Sequence, residues 1–170
     1  WNDFIAVDIR GSASGTINAP HVELQAATLP SGNVNAVLDI PLDDLGAAWA
    51  TVKFTDLDLI SVNGLLPPSS IGLIGTASGN LSANGFESFP RIEGDVIPNG
   101  VTLTVPHLGT HYEVDGTVEV RPDGFMMDQW TLFDASGAEA RFNGTVLHQN
   151  FKDWNLDFGI EISDRAITLM

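Results

Sequence analysis

Apolar and polar residues alternate with a period of two along most of the chain, the pattern of strands with one side covered and the other in water. The longest run is Trp154, Leu156, Phe158, Ile160 and Ile162, interleaved with Asn155, Asp157, Gly159, Glu161 and Ser163. Ala138, Ala140, Phe142, Gly144 and Val146 alternate in the same way with Glu139, Arg141, Asn143 and Thr145. Tyr112, Val114, Val118 and Val120 alternate with Glu113, Asp115, Thr117, Glu119 and Arg121. Nearer the start, so do Val22, Leu24 and Ala26, then Val34, Ala36, Leu38 and Ile40. At this spacing the side chains of each set fall on one sheet face.

Turn-forming sequences separate the runs: Ser31-Gly32-Asn33, Pro98-Asn99-Gly100, Pro122-Asp123-Gly124 and Ser136-Gly137. Pro122-Asp123-Gly124, between two strand-like runs, predicts a tight hairpin. The pattern as a whole predicts about a dozen short strands with short connections, hence an all-β, mostly antiparallel sheet. Helical signal is confined to two places. Leu42 to Ala48 suits one turn. Leu57 to Leu66, stopped by Pro67-Pro68, satisfies a short helix and an edge strand equally.

A faint internal repeat runs through the same pattern. Gly11-Ser12-Ala13-Ser14-Gly15-Thr16-Ile17 leads to Pro20 and an alternating strand, and Gly75-Thr76-Ala77-Ser78-Gly79-Asn80-Leu81 leads to Pro90 and another. Two copies of a multi-strand unit, near 11–70 and 75–147, fit this spacing. Repeats of this kind stack into elongated sheets.

Composition restricts the function classes. Of 170 residues, 44% are apolar and only 17% charged, with 22 acidic residues against 7 basic ones and a net charge of −15. Such a surface repels phosphate backbones and argues against nucleic acid as a partner. It also argues against charge-driven docking on an anionic membrane. Solubility or salt adaptation accounts for the bias, as does an acidic partner-binding face. The absence of cysteine removes disulfides, thiolate metal sites and cysteine nucleophiles. No apolar run approaches the roughly 18 residues of a spanning helix. The chain opens on Trp1 and stops on Met170 without a polar tail, which reads as a single-domain segment, 1–170, of a larger protein.

Catalytic patterns are weak. Gly11-Ser-Ala-Ser-Gly15 puts Ala13 where a nucleophile elbow needs serine, and no helix is predicted after it. His107 and His111 share the spacing of a helical metal pair, but they stand in a predicted loop between strands, where polar strand-end histidines are the expectation. His21 and His148 stand alone. Asp56 and Asp58 flank Leu57, and Asp43-Asp44 falls in a turn, with no calcium-loop spacing at either. Asn80-Leu81-Ser82 and Asn143-Gly144-Thr145 match the glycosylation sequon, a frequent chance match. The expectation is therefore no enzyme, no catalytic residues, no metal and no cofactor. A carbohydrate-active enzyme would need paired carboxylates beside aromatic platforms, whereas Trp1, Trp49, Trp130 and Trp154 are dispersed and the last two lie in apolar phase.

Two stretches carry a resemblance. The first is Leu57-Asp-Leu-Ile-Ser-Val-Asn-Gly-Leu-Leu-Pro-Pro68, then Gly75-Thr-Ala-Ser-Gly-Asn-Leu81, then Pro90-Arg-Ile-Glu-Gly94. The second is Leu132-Phe-Asp-Ala-Ser-Gly-Ala-Glu-Ala-Arg-Phe-Asn-Gly-Thr-Val-Leu-His-Gln-Asn-Phe-Lys-Asp-Trp-Asn-Leu-Asp157. In order and spacing they resemble the TamB branch of the AsmA-like family of bacterial envelope proteins (the translocation and assembly module), in its Bacteroidetes-type form. The resemblance covers about half the chain. It implies a long, curved sheet folded lengthwise into a β-taco with an apolar concave groove. It further implies a parent anchored in the inner membrane and spanning the periplasm. That parent would carry phospholipid to the outer membrane and partner an Omp85-type outer-membrane barrel.

On this reading the groove is lined by the apolar phase of the strands. Val22, Leu24, Val34, Leu38 and Phe54 would line its first part, and Leu81, Ile92, Val96 and Leu103 the next. Val118, Val120, Trp130 and Leu132 would follow, then Phe142, Val146, Leu156, Phe158 and Ile160. Its partners would be phospholipid or acyl chains. The competing reading is a structural or adhesive β-sandwich of an envelope protein, in which a second sheet covers the same face as dry core.

Overall fold

The computed structural model of the protein describes residues 7–28, 32–63, 72–106, 109–150 and 152–162. Among these described residues eleven strands follow one another. They are β1 (Val7–Thr16), β2 (Ala19–Thr28), β3 (Asn33–Asp39), β4 (Trp49–Asp58), β5 (Gly72–Asn84), β6 (Arg91–Val105), β7 (Thr110–Asp115), β8 (Val118–Arg121), β9 (Gly124–Phe133), β10 (Glu139–Gln149) and β11 (Lys152–Ile162). They form a single sheet in which every ladder is antiparallel and almost every strand lies beside its chain neighbours. The exception is one position shared by two short strands. β7 pairs with the second half of β6 and β8 with the first, and β9 pairs with both.

Register explains the alternation. Residues directly opposite in an antiparallel ladder share a face. Val22 faces Leu38, Val34 faces Phe54, and Val52 faces Leu81. Val96 faces Val118, Val101 faces Val114, and Phe142 faces both Trp130 and Ile160. One apolar face thus runs unbroken from β1 to β11. Arg10, Glu23, Lys53, Asp95, Glu119, Arg141 and Glu161 occupy the alternate positions and so the opposite face.

Of four register shifts among the described residues, the one between Leu147 and Gln149 lies at the end of the β10–β11 ladder, and three within the sheet keep the phase correct. β4 shifts register between Phe54 and Leu57, with Asp56 at φ 51°. β9 shifts between Met127 and Trp130, with Gln129 at φ 52°. In both bulges the extra residue's N–H finds an acceptor on the next strand: Ser78 Oγ at 3.1 Å for Asp56 and Asn143 Oδ1 at 2.7 Å for Gln129. Without the inserted residue, everything beyond it would turn to the wrong face. The third lies between β5 and β6, at Gly75 and Gly100. It corrects the sequence expectation for Pro98-Asn99-Gly100, which is not a turn but a bulge inside β6. The residue types that close a turn also serve a bulge: Gly100 takes φ 57°, and the Asn99 side chain donates to Ser78 Oγ at 3.1 Å.

The run from Tyr112 to Val120 is likewise two strands and not one, broken at Gly116. Pro122-Asp123 forms the expected two-residue turn, since Arg121 pairs with Gly124. Ser136-Gly137 is also a turn, organised by Asp134, whose Oδ1 accepts from the N–H of Ser136 and of Ala138. The predicted turn at Asp43-Asp44 holds a 3-10 turn, Leu45–Ala47, capped by the Asp44 carboxylate. Leu57 to Leu66 resolves into the end of β4 and a single helical turn, α1 (Ile60–Asn63), capped by Asp58, whose Oδ1 accepts from the Ile60 N–H at 2.9 Å. The rest of that stretch, with Pro67-Pro68, lies outside the described residues, as do Ser31 and His107. The glycine-rich stretches that open the two copies of the faint repeat lie in the hairpins β1–β2 and β5–β6.

The polar face carries two clusters of charged groups. Glu119 lies opposite Asp95, a like-charged pair, and Arg121 relieves it by two hydrogen bonds of 2.8 and 3.0 Å to the Glu119 carboxylate. Those bonds hold the Glu119 carboxyl below its ordinary range. His21 bridges β2 and β3 through Nδ1 to Asp39 Oδ1 at 2.9 Å, with Glu23 at 3.5 Å from Nε2. The Asp39 hydrogen bond, then that of Glu23, raises the imidazole above its ordinary value of 6.5. A group raised in the folded state stabilises it below the unfolded value and loses that contribution as pH climbs through the folded one. Stability is therefore expected to decline slightly as pH rises from below 6.5 through the raised folded value. Denaturant melts of wild type and His21→Gln across that window check it: the histidine-dependent slope should vanish in the variant.

Candidate functional site

The apolar face holds one large cavity, about 620 Å³, within the roughly 300–1,000 Å³ of sites that bury small molecules. Its wall draws on six successive strand positions, from Leu73 and Ala77 on β5 to Phe158 on β11. Val96, Pro98, Val101 and Leu103 come from β6, Val114 and Val118 from β7 and β8, and Met127, Trp130 and Leu132 from β9. Phe142 of β10 completes the set with Leu59, which follows β4. None of these side chains titrates.

Local structure places the wall. Asn63 in α1 clamps Leu73 at both ends of its peptide, accepting from its N–H at 2.9 Å and donating to its carbonyl at 2.8 Å. The Leu59 N–H donates to the Gly75 carbonyl at 3.0 Å, which fixes the other leucine beside it. The β9 bulge turns Trp130 onto the apolar face. Its indole N–H donates to the Thr117 carbonyl at 2.7 Å, so the polar edge is satisfied and the ring offers carbon to the cavity. Phe142 and Phe158 pack at a ring-centroid distance of 5.3 Å. Beyond them His148, 8% exposed, sits between Phe125 and Trp154 at 5.9 and 5.0 Å.

Of the residues expected to line a groove, Val96, Leu103, Val118, Trp130, Leu132, Phe142 and Phe158 meet in this cavity. Val120, Val146, Leu156 and Ile160 continue the same face along β8, β10 and β11. Val22, Leu24, Val34, Leu38, Phe54, Leu81 and Ile92 lie on that face across β2 to β6, outside the cavity. Sequence reasoning did not assign Leu59, Leu73, Ala77, Pro98, Val101, Val114 or Met127 to the lining. Val114 was in apolar phase and available to that reasoning. Pro98 and Val101 were hidden by the misread turn, and Leu59 by an ambiguous segment.

The other candidates fall apart in space. Gly11 to Gly15 lies in the second half of β1, with Ser12 and Ser14 opposite Glu23 and His21. His111 shares a 3.0 Å hydrogen bond with Thr104 Oγ1. Among the described residues no group of three or more His, Cys, Asp or Glu could hold a metal ion. Nor is any helix among them long and apolar enough to cross a membrane. No family model, no curated protein and no solved structure matches the chain.

Proposed function

We propose that this chain is a segment of a TamB-like, AsmA-type envelope protein. Its sheet folds lengthwise into a β-taco, and the concave apolar groove conducts phospholipid acyl chains between the inner and outer membranes. The parent, anchored in the inner membrane and spanning the periplasm, would act in outer-membrane biogenesis and protein assembly beside an Omp85-type barrel. One observation carries the reading: a continuous apolar sheet face whose cavity is lined from six strand positions without a titrating group. Each acyl methylene taken from water gains about 0.8 kcal/mol, so about a dozen would hold a tail with no polar contact.

Three further features support it. The described residues make one sheet, whereas a dry-cored sandwich needs a second sheet against the first. The apolar face is also open at its far end, where Leu156 is 59% and Ile160 59% exposed. Basic residues are few, which suits sliding better than tight headgroup capture. Mass spectrometry of the protein purified without detergent tests the proposal. Phospholipid or fatty acid should co-purify, and a hydrophobic dye should bind the folded chain. Absence of both sinks the reading.

A further inference from the structure

Several glycines of the apolar face are not turn glycines. Gly11, Gly79 and Gly144 keep ordinary strand backbone, so left-handed geometry does not explain them. Each lies directly opposite a large side chain: Leu24, Phe54 and Phe158 respectively. In each pair that side chain occupies the space a Cβ would need. An ideal Cβ on Gly144 would stand 2.6 Å from Phe158 Cδ1 and 2.9 Å from Phe142 Cε1. On Gly79 it would stand 2.6 Å from Phe54 Cζ and closer still to the Asp95 backbone carbonyl, and on Gly11, 2.7 Å from Leu24 Cδ2. Gly116 also lies beneath the Trp130 indole, but its φ of 152° already favours glycine, so it stands apart from these three. Gly159, on the polar face of β11, has nothing within 4 Å of the same position.

Glycine weakens a strand interior, so its use at paired positions calls for a reason in packing. Here a ring drops into the gap and lies along the sheet. Phe158 is part of the cavity wall. We infer that Gly144 is a seat that holds Phe158 down, and so sets the bore through which a single hydrocarbon chain passes. This rests on the lipid-conducting reading. A side chain at Gly144 lifts Phe158 and Phe142 into the cavity and narrows it without adding charge or polarity.

Titration of the full chain with cis-parinaric acid, a fluorescent fatty acid, tests the seat. Wild type should bind saturably. Gly144→Val should bind about tenfold more weakly or worse, although valine favours strands over glycine. Gly159→Val should stay within about twofold of wild type. Adding Phe158→Ala to Gly144→Val should restore affinity to within about threefold, because the lifted ring is gone. If Gly144→Val loses its cooperative melt, Gly144→Ala takes its place, with a loss of at least about threefold expected. Wild-type affinity in the Gly144 variant, or no recovery in the double variant, overturns the seat alone. A wild type without saturable binding overturns the lipid reading and the seat with it.

Discussion

Phe158→Asp is expected to abolish capture of a hydrocarbon probe while the sheet still forms. Phe158 sits on β11, a terminal strand of the sheet, and is 48% exposed, so a carboxylate there keeps access to water in the empty protein. Its ring nevertheless forms part of the cavity wall beside Phe142. A hydrocarbon chain settling against the introduced carboxylate would strip water from the charge, with no cation among the lining residues to pair with it. Burying an unpaired polar or charged group costs about 2 kcal/mol or more, a loss in affinity of about thirtyfold or greater. Circular dichroism should be unchanged, and probe titration should show the loss. Unaltered binding would mean that the chain does not pass this wall. Leu103→Asp, deeper in the sheet on β6, should block the same path at a greater cost in stability, because Leu103 pairs with Leu73 and Tyr112 on either side.

Gly94→Ala carries the largest expected effect on folding. Gly94 takes φ 143°, a conformation that side-chain-bearing residues rarely adopt. It pairs with Leu81 on one side and Val120 on the other. A Cβ there would collide with the Asn80 carbonyl and lie 3.0 Å from the Leu81 Cα, and backbone cannot rotate away as a ring can. Strain and collision together should cost about 3 kcal/mol or more. Gly85, in the β5–β6 connection, offers the comparison: φ 75° with open space around it. Gly85→Ala should cost only the left-handed backbone penalty, about 1 kcal/mol. Thermal melts of the two variants should differ plainly. If they melt together, close backbone approach is not what requires glycine at position 94.

Periodicity exposed what depends on one residue and its neighbours two away. Trp154 to Ile162 and Ala140 to Val146 were legible as strands because each has two chemically different sides. The hairpin at Pro122-Asp123 was legible because its turn is local. The bulges were not. Asp56 and Gln129 adopt positive φ because Ser78 and Asn143, on other strands, take up their N–H groups, and no short window shows that pairing. The cavity was legible only as a face. Leu24 and Phe158 read identically in sequence, but only Phe158 stands where strands from β5 to β11 contribute to one wall. Within residues 132–157 the structure gives individual residue types a local role. Asp134 builds a turn, Asn143 closes a bulge, Gly144 lies under a ring, and His148 packs between two aromatic rings.

The ladder order has a consequence for how the chain acquires its structure. Because pairing joins strands that are consecutive or nearly so, loop-closure entropy stays small at every step. Contact order is low for an all-β protein, and folding can advance hairpin by hairpin as the chain is made, each new strand templated by the one before. The same order makes the sheet extensible. Inserting or deleting a whole hairpin preserves strand direction and the side to which each apolar residue points, whereas a single added strand reverses the direction of all that follow. Length can therefore change in evolution by units of two strands without redesign of what remains.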